Sequence, residues 1–234
     1  MSQTDTKFKP VDFGVEVDDA LNTICQTNDE GFARIVRLYA RPGDTIADPT
    51  FGNGVFWQQV DRSQYTVLAT DLKADGVDLR SLPYADESLD MVVNDPPYRY
   101  TPEKNTRHED TPGHGKVDGL YNLQAAKLTN TKAVLDLYFA GMTEAKRVLK
   151  PGGFLVVKCQ DTVQDGKNIW VHNILMDKAE ELGFACRDVL IVAPPSVIKT
   201  RWDRQRHLRK AHSYFVIFRK GGHFPFGLPS VCKR

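Results

Sequence analysis

With 234 residues, 41% of them hydrophobic and 26% charged, the chain is long enough to bury one sizeable core and has the composition of an ordinary water-soluble domain. No run approaches the roughly 20 apolar residues of a membrane span, and the polar start from Met1 to Lys9 has no signal-peptide core, so a single cytoplasmic domain over residues 1–234 is expected. The net charge of +1 conceals an asymmetry: from Lys199 to Arg234 ten basic residues face only Asp203, which puts +9 there and −8 on the rest. A one-sided basic segment of this kind fits contact with phosphates and makes nucleic acid the expected partner.

In chain order, Phe32 to Tyr39 reads as a helix stopped by Pro42 and Gly43. Thr45 to Asp48 is a first strand, followed by the turn Phe51-Gly52-Asn53-Gly54 and by a helix starting at Val55 to Val60. Thr66 to Asp71 is a second strand ending in an acid, and Leu89 to Asn94 a further strand. Asp95-Pro96-Pro97-Tyr98 ends that strand abruptly, because neither proline can donate to a sheet ladder. Residues 99–130 read as one long polar loop, of a length that usually carries function. Thr131 to Leu149 is an amphipathic helix closed by Lys150-Pro151-Gly152-Gly153. Phe154 to Lys158 is then a strand, Ile169 to Leu182 a helix and Val189 to Val192 a strand. Ser213 to Phe218 is a last strand, expected at the sheet edge and antiparallel to the one before it. Short apolar runs alternating with helices predict an α/β fold, a mostly parallel sheet with helices on both faces.

Two motifs carry chemistry. Asp48-Pro49-Thr50-Phe51-Gly52-Asn53-Gly54 sits where a first strand meets a first helix, a place where glycines let the backbone turn tightly against a ligand. Asp71, at the tip of the second strand, is placed to accept hydrogen bonds from ribose hydroxyls, and Asp78 follows it closely. Asp95-Pro96-Pro97-Tyr98 is the most specific signal. It resembles the catalytic tetrapeptide of the DNA amino-methyltransferases, the turn before it resembles their cofactor motif, and His212 to Lys220 resembles their closing strand. The resemblance runs from about Phe32 to Lys220. It implies a Rossmann-like class I methyltransferase fold with a seven-stranded sheet. It also implies S-adenosyl-L-methionine as cofactor, held by Asp48, Pro49, Thr50, Phe51, Gly52, Gly54, Asp71, Asp78 and Asp95. Catalysis is expected from Asp95, Pro96, Pro97 and Tyr98.

The residue types suit that chemistry. An exocyclic base amine is conjugated with its ring and is a poor nucleophile. An Asp95 carboxylate and a Pro96 carbonyl accepting its two N–H bonds would keep electron density on nitrogen, a form of electrostatic preorganisation. Tyr98 would stack on the base, which must be flipped out of a duplex to be reached. Adenine in DNA is the expected target. An RNA base of tRNA or rRNA, cytosine N4, or a catalytically silent nucleic-acid-binding subunit are the alternatives. The chain has no recognition domain of ordinary size, so the loop 99–130 and the basic segment 195–212 are expected to recognise the substrate, or else a separate recognition subunit or a second copy. Tyr100, Arg201, Trp202, Arg204, Arg206 and Arg209 are the candidate nucleic-acid contacts, Trp202 by stacking among bases. The six histidines show no metal spacing, and Cys25, Cys159, Cys186 and Cys232 show neither a zinc nor a disulfide pattern, so no metal is expected. Trp57 and Trp170 are read as core or interface residues on helices.

Overall fold

The computed structural model describes residues 21–98, 130–195 and 206–221. Its elements are β1 (Ile24–Cys25), α1 (Asn28–Tyr39), β2 (Thr45–Asp48), short 3-10 helices at Val55–Gln59 and Arg62–Gln64, β3 (Thr66–Ala69), α2 (Leu72–Asp75), β4 (Leu89–Asn94) and α3 (Thr131–Val148). They continue with β5 (Leu149–Cys159), the hairpin strands β6 (Thr162–Gln164) and β7 (Lys167–Ile169), α4 (Val171–Glu181), β8 (Phe184–Val192) and β9 (Ser213–Lys220). Seven strands form one sheet in the order β1-β8-β9-β5-β4-β2-β3. Every neighbouring pair is parallel except those made by β9.

The sheet is covered on both faces, and the two apolar clusters show how. One packs Val134, Leu137, Tyr138, Met142 and Ala145 of α3 and Val171 and Leu175 of α4 on Val92, Leu155, Val157, Val216 and Phe218. The other packs Phe32, Ile35 and Val36 of α1, with Phe56 and Trp57, on Ile46, Met91, Val93, Val156, Phe215 and Ile217. Successive strand residues point to opposite faces, so each central strand feeds both clusters and reads as a continuous apolar run. This is the α/β, Rossmann-like architecture expected.

Several local expectations change. The first helix begins at Asn28, four residues before its apolar face, because the Thr27 hydroxyl accepts from the Glu30 N–H and caps a polar first turn. The helix expected after the Gly turn is a 3-10 helix of five residues. The fifth strand starts at Leu149, ahead of the Lys150-Pro151-Gly152-Gly153 segment rather than after it. Leu89 pairs with Leu149 and Met91 with Phe154, so the four intervening residues bulge out of register. The Lys150 ammonium anchors that bulge on Asp90 at 2.7 Å. The last strand is not at the edge. It lies between β5 and β8, antiparallel to both, and the edge belongs to β1. Among the described residues no helix is long and apolar enough to cross a membrane.

Candidate active site

Strand order reverses between β2 and β4: β3 lies outward of β2 on one side, and β4 and β5 lead away on the other. In open α/β sheets the crevice at the carboxyl ends of such strands is where ligands bind. The Gly-containing turn leaves β2 there, and Asp95-Pro96-Pro97-Tyr98 leaves β4 beside it.

Asp48 ends β2 and is 2% exposed. Its Oδ2 accepts from Trp57 Nε1 at 2.8 Å, and its Oδ1 accepts from the Thr50 N–H and hydroxyl, each at 3.0 Å. Burial still pushes the carboxyl up to about 6, since these donors offset only part of the cost of desolvating the anion. Asp48 therefore organises the turn from beneath. Thr50 reaches further. The same hydroxyl that donates to Asp48 accepts the backbone N–H of Asp95 at 2.9 Å, so one oxygen joins the two motifs. At Gly54 φ is +67°, and a Cβ there would lie 2.8 Å from the Phe51 ring, so both backbone and space call for glycine. At Gly52 a Cβ would meet, among the described residues, only Thr50 O at 3.9 Å.

The Tyr98 hydroxyl donates to Asp95 Oδ1 at 2.5 Å, and Pro96 is buried. Burial pushes the Asp95 carboxyl up to about 7. The Tyr98 hydrogen bond and the Lys158 charge pull it down, and the charge of Asp48 adds to the rise. Asp71 stands half-buried at the tip of β3, where its Oδ1 caps α2 by accepting from the Lys73 N–H at 2.8 Å. Both oxygens of Asp78 hold Arg80, the closest contact being 2.6 Å. Of the candidate nucleic-acid contacts, Arg206 is exposed and Arg209 half-buried just ahead of β9, while Tyr100, Arg201, Trp202 and Arg204 lie outside the described residues.

Some residues with evident roles carry no motif in the sequence. Trp57 is core, as expected, but it also donates to Asp48. Trp170 is not core: it is 49% exposed, with Lys210 Nζ 4.2 Å from its ring centroid. Buried Asp161 accepts from His172 Nδ1 at 2.8 Å and from the Tyr214 hydroxyl at 3.1 Å, an arrangement that long-range pairing alone brings together. Lys158 is 1% exposed in β5. A lysine at the end of the apolar run Phe154-Leu155-Val156-Val157 is the signal that could have found it. Among the described cysteines, Cys25, Cys159 and Cys186 are free thiols.

Thr50→Val keeps the shape of the side chain but strands the Asp95 N–H and removes a donor from Asp48. Leaving a buried polar group unpaired costs about 1–3 kcal/mol. Urea denaturation should show a loss of that size with the slope unchanged, and a loss near zero would mean that the bridge does not hold the motifs together.

A family model described as DNA methylase matches residues 89–231, a stretch that holds the tetrapeptide and β9 but not the Gly turn. No curated protein matches the chain. Among solved structures, a Thermus thermophilus protein described as a DNA modification methylase, complexed with S-adenosyl-L-methionine, is 21% identical over 63% of this chain and 55% of its own, with a TM-score of 0.41. TrmN of Thermus thermophilus is 17% identical over 82% of this chain and 48% of its own, at a TM-score of 0.48. A SAM-dependent methyltransferase of Methanosarcina mazei is 14% identical over 80% and 96%, at 0.47. The chain thus spans about half the length of the first two.

Proposed function

This chain belongs to the DNA methylase family, and from that premise we propose that it methylates the exocyclic amino nitrogen of a flipped-out base, adenine in DNA, using S-adenosyl-L-methionine. The observation that carries the reading is the Thr50 hydroxyl, which ties the Gly turn to the Asp95 backbone at one carboxyl edge of the sheet. A cofactor lying along the turn would meet the substrate at the tetrapeptide. The residues present fit that cofactor: no described residue crowds the Cβ side of Gly52, and the half-exposed Asp71 stands at the neighbouring strand tip. When bound, S-adenosyl-L-methionine supplies an electrophilic methyl group.

The chain's own residues do the rest. Tyr98 holds Asp95 Oδ1, which leaves Oδ2 to accept one N–H of the amine while the Pro96 carbonyl accepts the other. Both acceptors are fixed before the base arrives, so charge developing on nitrogen meets dipoles that need no reorganisation. After transfer the nitrogen loses one proton, and the Asp95 carboxylate is a base already in contact with it. Arg206 and the other basic residues of the segment 195–212 contact phosphates, which position the duplex without reading its sequence.

Asp71→Ala should weaken binding of S-adenosyl-L-methionine by about 1–3 kcal/mol, the scale of groups left without hydrogen-bond partners. Asp71→Asn, which keeps the helix cap, separates this loss from an effect on folding. Calorimetry giving unchanged affinity in both folded variants would remove Asp71 from the site. The substrate class is tested by offering the methyl-labelled cofactor with duplex DNA and with tRNA in parallel. Label retained on DNA supports the proposal, and label on tRNA alone would replace it with the RNA reading.

A further inference from the structure

Half-buried Asp95 lies between two buried charged groups, the Asp48 carboxyl and the Lys158 ammonium. The β4–β5 register pairs Asn94 with Val157, so the next residues along, Asp95 and Lys158, lie side by side at the carboxyl edge. Alternation along the strands sets Asp95 on the face of Met91 and Val93, and Lys158 on the face of Phe154 and Val156, which is the face covered by α1. Lys158 pairs with Phe215 in β9, and its Nζ lies 4.1 Å from the centre of that ring. The Nζ donates to Ser213 Oγ at 2.8 Å, and among the described residues no carboxylate pairs with it directly. A lysine is almost never buried without a partner, because desolvating its charge is costly unless an opposite charge or strong acceptors compensate. Here a single hydroxyl and an aromatic face hold it, and the opposite charge is the neighbouring Asp95.

We propose that Lys158 is a positioning residue for this reaction: its buried ammonium, held by Ser213 and Phe215, keeps the Asp95 carboxyl in the ionised form that accepts the substrate amine. The inference rests on the role given to Asp95 above. The groups facing Asp95 are Asp48 from β2, Tyr98 from its own tetrapeptide, Tyr138 from α3, and Lys158 and Cys159 from β5. Those facing Lys158 are Asp95, Cys25 from β1 and Cys159 from its own strand. Asp48 disfavours a second negative charge at Asp95, and the Tyr98 hydrogen bond and the Lys158 cation favour it. Burial pulls the Lys158 ammonium down and the Asp95 carboxyl up, and the charge of each opposes that shift in the other, so the pair favours the ammonium–carboxylate state.

The sign follows. The accepting form is the carboxylate, so kcat/KM of the wild-type protein rises with pH through about 7. Lys158→Met removes the cation, raises the Asp95 pKa further and moves that limb to higher pH. A shift of one unit lowers kcat/KM about fivefold at pH 7 and leaves it little changed at pH 9. Lys158→Arg should return the limb to the wild-type position. A role confined to packing predicts the opposite pattern, a loss of the same factor at every pH.

The decisive test follows the Asp95 carboxyl directly, by 13C NMR titration of the ligand-free protein, with the resonance assigned by its disappearance in Asp95→Asn. A higher midpoint in Lys158→Met, reversed in Lys158→Arg, is the expected result, and coincident midpoints would overturn the proposal. If Lys158→Met does not fold, Ser213→Ala keeps the ammonium but removes its acceptor, and the same comparison applies. The readout needs no activity. A shifted midpoint in a protein that methylates no nucleic acid would therefore sink the proposed function and leave the link between Lys158 and Asp95 standing.

Discussion

Asp95→Ala is expected to lower the rate of methyl transfer by about a thousandfold or more while leaving S-adenosyl-L-methionine bound. Removing one preorganised group from the place where charge develops costs about 10²–10³ in rate in comparable sites. Asp95 also loses its share in orienting the amine, which adds to the effect. The backbone N–H of residue 95 still reaches the Thr50 hydroxyl in the variant, so the Gly turn should stay in place. What disappears is the carboxylate that Tyr98 holds at 2.5 Å. Single-turnover measurement with saturating cofactor isolates this step. A variant within tenfold of wild type would remove Asp95 from the chemistry.

Phe32→Ala is the substitution expected to cost most in stability. Phe32 is wholly buried on the inner face of α1, with its ring centroid 5.0 Å from that of Trp57, 5.6 Å from Phe56 and 6.2 Å from Phe215. Truncating a buried phenylalanine leaves a cavity and typically costs about 3–5 kcal/mol. The neighbours here are rings and a sheet, which collapse poorly into the gap. Trp57 loses its edge-on support and with it the setting of its hydrogen bond to Asp48, so the site should loosen along with the core. Denaturant unfolding followed by far-UV circular dichroism should show the loss at an unchanged slope. A cost under about 1 kcal/mol would mean that the α1 face repacks freely, contrary to the tight packing of protein interiors.

How far the sequence discloses these features depends on how local their causes are. β2, β4 and the tetrapeptide are legible because a strand stopped by Asp95-Pro96-Pro97 is written in consecutive residues. The apolar face of α1 at Phe32, Ile35 and Val36 follows from helical spacing in the same way. β1 is two residues long and exists only because Thr23 and Cys25 carbonyls accept from the Ile191 and Ala193 N–H groups, far along the chain. The interior place of β9 was present in the run Tyr214-Phe215-Val216-Ile217-Phe218, which is buried on both faces, whereas an edge strand would carry polar residues on one. In the site, the turn and the tetrapeptide are legible as motifs. Their connection through Thr50, the capture of Asp78 by Arg80 and the approach of Lys158 to Asp95 are not, since each depends on a rotamer or on pairing between strands distant in sequence.

The central claim is that Asp95 and the Pro96 carbonyl present an exocyclic amine for methylation. It is tested most directly by the position of the methyl group in the product. DNA incubated with the protein and methyl-labelled S-adenosyl-L-methionine is digested to nucleosides and separated. The account predicts label in N6-methyladenosine of the deoxy series, and none after the same incubation with Asp95→Ala. Label on a ring carbon or ring nitrogen, or undiminished label with Asp95→Ala, would contradict it.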